Sequence, residues 1–139
     1  MLEGVVYLSY PRVMPWPMLI LDIDRAVERH HLTQGLTGVL LFRSVWILQY
    51  LEGETSRLSE RIGVISADPR HRIMWSQRQP IAVRALPRLA MGYIDVIREP
   101  AFIGDNDLNE ISGRREDQAD RLRSIMITAA KAKYPRAAE

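Results

Sequence analysis

Val39-Leu40-Leu41-Phe42, Arg43-Ser44, Val45-Trp46-Ile47-Leu48-Gln49-Tyr50-Leu51 and Glu52-Gly53 follow one another in the stretch that decides the fold. The first four residues read as a buried strand. Arg43-Ser44 reads as a tight connection, although it lacks the glycine usual in a two-residue hairpin. Alternation along the next strand sends Trp46, Leu48 and Tyr50 to one face. Val45, Ile47, Gln49 and Leu51 go to the other. Upstream, Leu19, Ile23, Ala26, Val27 and His30 recur at helical spacing, so residues 18 to 31 read as an amphipathic helix that Gly35 follows. Before it, Pro11, Pro15 and Pro17 make a loop, and Val5-Val6-Tyr7-Leu8-Ser9 reads as a strand.

Downstream, Thr55 or Ser56 can cap a helix carrying Leu58, Ile62 and Ile65, which Asp68-Pro69 stops. Ile73 to Gln79 reads as a polar strand, and Met91 to Ile97 contains another. The order βαββαβ plus one strand predicts an α+β, ferredoxin-like sheet with two helices on one face. The other face is then bare. Asp105 to Ser112 is a polar segment able to form a short helix. Residues 115 to 132 read as a longer one, with the stripe Ala119, Leu122, Ile125, Met126 and Ala129. This tail is expected to cap the bare face or to dock on a partner.

The chain has 139 residues, which suits one domain. Hydrophobic residues make up 47% and charged residues 26%, the balance of a globular domain and not of a disordered one. A net charge of +2 without a Lys/Arg block argues against nucleic acid. The lack of cysteine excludes disulfides, thiol catalysis and cysteine metal sites. No apolar run is long enough for membrane insertion and no signal peptide is evident, so a cytoplasmic location is expected.

No catalytic motif is present. Gly35-Leu36-Thr37-Gly38 lacks the lysine of a phosphate loop and reads as a turn entering a strand. His30 and His31 are adjacent, so on a helix they point about 100° apart and form no chelating pair. No metal site is expected. Gln49 is the informative residue, because it interrupts an apolar strand. A lone strand glutamine is usually an edge or surface residue. A buried one needs hydrogen-bond partners, and Tyr7, on another strand, is a candidate. Such a pair holds no acid, base or nucleophile of the usual kind.

Val5-Val6-Tyr7-Leu8-Ser9, Gly35-Leu36-Thr37-Gly38-Val39-Leu40-Leu41-Phe42, Ile47-Leu48-Gln49-Tyr50-Leu51-Glu52-Gly53, Ala67-Asp68-Pro69-Arg70-His71 and Ala90-Met91-Gly92-Tyr93 occur in that order. Together they resemble the BLUF domain, the family of blue-light sensors using flavin, over roughly residues 4 to 97. No single motif is specific, but their order and spacing are. The resemblance implies a BLUF-like flavin-binding domain over residues 1 to 100 and a helical extension over 101 to 139. It implies a photoreceptor, not an enzyme, that binds FAD non-covalently. Tyr7 matches the electron and proton donor to the excited flavin. Gln49 matches the amide that rearranges between that tyrosine and the flavin, and Met91 the methionine that relays the change. Ser9, Ile23, Leu40, Gln49, Asp68, Arg70 and His71 match positions that contact or border the flavin. The signal would pass to a downstream protein or within a homo-oligomer, for which the stripe of residues 119 to 129 is a candidate interface.

Three positions depart from the family pattern. His31 stands where an asparagine clamps the flavin's polar edge, and imidazole cannot copy the amide's fork of donors and acceptor. Leu89 stands where many members have tryptophan, and Ile47 where phenylalanine is usual. The alternative reading is therefore a flavin-free BLUF-fold module for protein–protein interaction.

Overall fold

The computed structural model describes residues 1–12, 35–43 and 45–139. The helix expected over residues 18 to 31, with Ile23 and His31, lies outside them.

Five strands form one sheet: β1 (Leu2–Pro11), β2 (Thr37–Arg43), β3 (Trp46–Glu54), β4 (His71–Ile81) and β5 (Gly92–Asp95). Their spatial order is β4-β1-β3-β2-β5. β1 pairs antiparallel with β3 and β4, β2 antiparallel with β3, and β5 parallel with β2. This is the expected α+β arrangement with an added edge strand. Arg43 pairs with Trp46, so the hairpin connection is residues 44 and 45. That corrects the expectation of a turn at 43 and 44. Val45 is 60% exposed and outside the strand, because pairing from Trp46 onward keeps every following apolar side chain in a core. Gly38 is needed at the β2–β3 contact. A Cβ there would lie 2.0 Å from the Tyr50 carbonyl oxygen.

The alternation in β3 separates two cores. On one face, Val5, Tyr7 and Leu51 pack with Leu58 and Ile65 of helix α1 (Thr55–Ala67). Leu40 and Ile47 extend that face beside Met91. The cap of α1 is Glu54, and neither Thr55 nor Ser56 serves. Thr55 is instead drawn into the end of β1, where its hydroxyl donates to the Met1 carbonyl at 3.1 Å.

On the other face, Trp46, Leu48 and Tyr50 pack beneath the tail. A short helix α2 (Asp105–Gly113) and one 3-10 turn lead into α3 (Ala119–Lys133). The stripe Ala119, Leu122, Ile125, Met126 and Ala129 is buried in the same cluster as those β3 side chains. The bare face is thus covered from within the chain. This corrects the expectation that the stripe of residues 119 to 129 serves as an oligomer interface. Apolar side chains already packed on a sheet have no surface left to offer.

Among the described residues no helix is long and apolar enough to cross a membrane. Nor does any group of three or more His, Cys, Asp or Glu stand ready for a metal ion.

Candidate functional site

The sheet brings Tyr7, Gln49 and Leu40 into one transverse row. Tyr7 is opposite Gln49 in the β1–β3 ladder, and Gln49 is opposite Leu40 in the β3–β2 ladder. Directly opposed residues share a face, and this face is the one α1 covers. Ser9 lies two residues beyond Tyr7 on the same side of β1. All four side chains are buried: Tyr7 is 2% exposed, Gln49 3%, Ser9 and Leu40 0%.

The Gln49 Nε2 group donates to the Met91 sulfur at 3.6 Å. Thioether sulfur is a weak acceptor, so this bond holds the amide lightly. Among the described residues no hydrogen bond joins the Tyr7 hydroxyl to the Gln49 amide, so the direct pairing considered from the sequence is not made in this state. Burial pushes the Tyr7 phenol well above its ordinary pKa, and the nearby Arg61 charge opposes that rise without cancelling it. Tyr7 is therefore a neutral phenol throughout the physiological range.

Asp68, Arg70 and His71 sit where α1 ends and β4 begins. Asp68 and Arg70 hold each other: Arg70 Nη2 lies 2.6 Å from Asp68 Oδ2, and the Arg70 backbone N–H donates to Asp68 Oδ1 at 2.9 Å. The hydrogen bond from Arg70 holds the Asp68 carboxyl below its usual range against some opposition from burial. His71 Nε2 donates to the Ile65 carbonyl at 2.9 Å, which fixes the ring against α1. Ile23 and His31 lie outside the described residues, so the structure does not place them beside this group.

Two residues that sequence reasoning passed over belong to the region. Arg61 is on the inward stripe of α1, between Leu58 and Ile65, and is 8% exposed. Its signal was the helical spacing, which puts a charge on an otherwise apolar stripe. Glu52 is fully buried. It continues the Trp46, Leu48, Tyr50 alternation of β3. Its carboxylate accepts from Tyr50 Oη at 2.8 Å, Thr37 Oγ1 at 3.2 Å, Ala85 N at 2.9 Å and Leu86 N at 2.6 Å. It thereby ties the segment before Met91 to the strand that carries Gln49.

Three buried polar atoms in or beside this α1-side layer lack partners among the described residues: Ser9 Oγ, Arg61 Nε and His71 Nδ1. A buried polar atom without a partner is uncommon in a folded protein and calls for an explanation. Apolar walls with a few unpaired polar groups suit a flat, polar-edged ring such as a flavin.

Residues 2–92 match the model of the BLUF family, described as sensors of blue-light using FAD. No curated protein matches the chain. Among solved structures, the dark state of BlrB, a BLUF protein, is 30% identical with a TM-score of 0.78, covering 94% of this chain and 96% of its own. BlrP1 of Klebsiella pneumoniae, in a manganese and cyclic-diGMP complex, is 28% identical with a TM-score of 0.67. The match covers 94% of this chain but only 34% of BlrP1. The photo-activated state of BlsA, 19% identical with a TM-score of 0.69, shares the fold over 91% of this chain and 95% of its own. With the family model spanning residues 2–92 and BlrB matching along nearly its whole length, the chain belongs to the BLUF family of blue-light sensors.

Proposed function

We propose that this chain is a blue-light photoreceptor that binds FAD non-covalently, is not itself an enzyme, and signals through a hydrogen-bond rearrangement at Gln49. The observation that carries this is the buried Tyr7–Gln49 register pair, with the amide held, among the described residues, by the Met91 sulfur. A phenol and an amide buried side by side are an unusual choice for a core that holds no polar ligand, since each must find hydrogen-bond partners there. Bound flavin supplies the light absorption and the electron acceptor. Tyr7, as a neutral phenol, has an electron and a proton to give. Gln49 has both a donor and an acceptor group, so it can rotate or tautomerise between two bonding patterns. Met91 gives up its weak bond at little cost. Ser9, Leu40, Asp68, Arg70 and His71 border the ring in this reading, as do Ile23 and His31 of the segment between β1 and β2.

From Gln49 the change passes through Met91 into β5 and from there to α3. The Tyr93 N–H donates to Tyr134 Oη at 3.1 Å, and Lys133 Nζ donates to the Tyr93 carbonyl at 2.5 Å. The receiver is a downstream protein or a second copy of this chain, within the cytoplasm.

The test is an absorption spectrum of the purified chain reconstituted with excess FAD, before and after blue light. A bound-flavin band that shifts reversibly to the red by several nanometres is the expected result. A protein folded by circular dichroism that retains no flavin would instead favour the interaction module.

A further inference from the structure

Arg61 follows Leu58 by three residues and precedes Ile65 by four on the buried side of α1. Both neighbours pack in the cluster that contains Tyr7. Arg61 as a residue is 8% exposed, and among the described residues its Nε–H finds no acceptor. Tyr7 and Asp68 are the ionisable groups close enough to influence it. Asp68 is already held by Arg70, and Tyr7 is an uncharged phenol. Among the described residues no carboxylate pairs with Arg61. A charge buried in this way is costly unless something accepts its hydrogen bonds. Among the described residues the Arg61 Nε–H therefore lacks an acceptor, on the side of the layer where Ser9 Oγ is also unpaired.

We propose that Arg61 is a flavin-contacting residue whose guanidinium donates a charge-assisted hydrogen bond to a carbonyl oxygen of the isoalloxazine ring. The inference rests on the flavin reading above and adds a residue to it. A guanidinium has five N–H donors in a planar fork and no acceptor. It supplies donors of the kind that the family's asparagine offers and that His31 has replaced. A flat ring lying beside α1 on this face of the sheet would present its carbonyl edge to that fork.

The experiment uses the full chain loaded with FAD, as wild type, Arg61→Leu and Arg61→Lys. Leucine completes the apolar stripe and removes every donor. Lysine keeps a charge on a long stem without the fork. Fluorescence titration of FAD is expected to show binding about ten- to hundred-fold weaker in Arg61→Leu, the range for losing one hydrogen bond to a charged group. The ring carbonyl stretch in the infrared is expected to move to higher frequency, with Arg61→Lys between wild type and leucine in both readouts. Unchanged or tighter FAD binding, with the carbonyl band unmoved in both variants, overturns the assignment while leaving the photoreceptor standing. Should the leucine variant fail to fold, the carbonyl band of the lysine variant decides on its own. Wild-type protein that is folded but takes up no FAD removes the flavin reading itself, and Arg61 with it.

Discussion

Tyr7 of β1 and Gln49 of β3 are directly opposed in an antiparallel ladder, with both side chains on the face covered by α1. The same row continues through Leu40 to Tyr93 of β5 and, on the other side, to Ser76 of β4. Phenol and amide are therefore fixed by backbone pairing, and neither depends on a loop for its place. The backbone does not fix the rotation of the amide, which among the described residues is held by a weak bond to sulfur.

Gln49→Leu should leave FAD bound and abolish the light-induced red shift. Leucine keeps the volume of the side chain and removes both bonding patterns of the amide. Difference spectra after blue light check this. A normal photocycle in the variant would remove Gln49 from the mechanism.

His31→Asn should tighten FAD binding, because an amide offers two donors and an acceptor where imidazole offers one of each. Equilibrium dialysis or fluorescence titration measures it. Equal or weaker affinity would mean that His31 is not a degraded clamp.

Glu52→Ala should destabilise the fold by about 3–5 kcal/mol, since it strands a phenol, a hydroxyl and two backbone N–H groups in the interior. Glu52→Gln should cost less, because the amide oxygen still accepts. Urea unfolding followed by circular dichroism ranks the three proteins. An alanine variant as stable as wild type contradicts the role assigned to the carboxylate.

Met126→Ala should cost about 2–5 kcal/mol. Met126 is fully buried between α3 and the sheet. If α3 instead leaves the sheet to meet a partner, the loss should be well under 1 kcal/mol, so thermal or urea unfolding separates the two arrangements.

Stability should fall in acid through Glu99 and Asp68. Burial pushes the Glu99 carboxyl up, but hydrogen bonds from Lys133 and the Asp95 backbone outweigh it, so its pKa lies below the usual value. Arg70 lowers that of Asp68. Both carboxyls bind protons more weakly when folded than when unfolded. Their contribution is full above the unfolded carboxylate range of roughly 4 and is lost as pH drops through the folded values. The stability gap between wild type and Glu99→Gln should therefore narrow from neutral pH to below about 4. A gap independent of pH would show that the Lys133–Glu99 pair contributes nothing.

Most of the fold was legible because its signals are local. The two-residue period in β3 named the faces, and the helical period over residues 119 to 129 named the side of α3 that is buried. The turn was misplaced by one residue because Val45 looks like a strand residue, while register is set by pairing with Arg43. Thr55 was a sensible cap on paper, but a contact 54 residues away claimed its hydroxyl. The site was legible only in part. Tyr7 and Gln49 stood out through order and spacing, but their opposition depends on a non-local ladder. Arg61 and Glu52 escaped notice because a charge in a sequence is usually solvated. Their burial depends on the sheet and on residues 85 and 86, which no short window contains.

The treatment of β5 bears on how copies of this chain can meet. Its outward backbone groups are already taken: Tyr134 binds the Tyr93 N–H, Lys133 binds the Tyr93 carbonyl, and Glu99 accepts from the Asp95 N–H at 2.9 Å. A sheet edge invites another strand only where its N–H and C=O groups are unpaired. This edge is plugged by side chains, so the sheet cannot be extended past β5 into a neighbouring molecule. Assembly on that side must proceed side chain to side chain, and unplugging Tyr93 would turn a closed border into a sticky one.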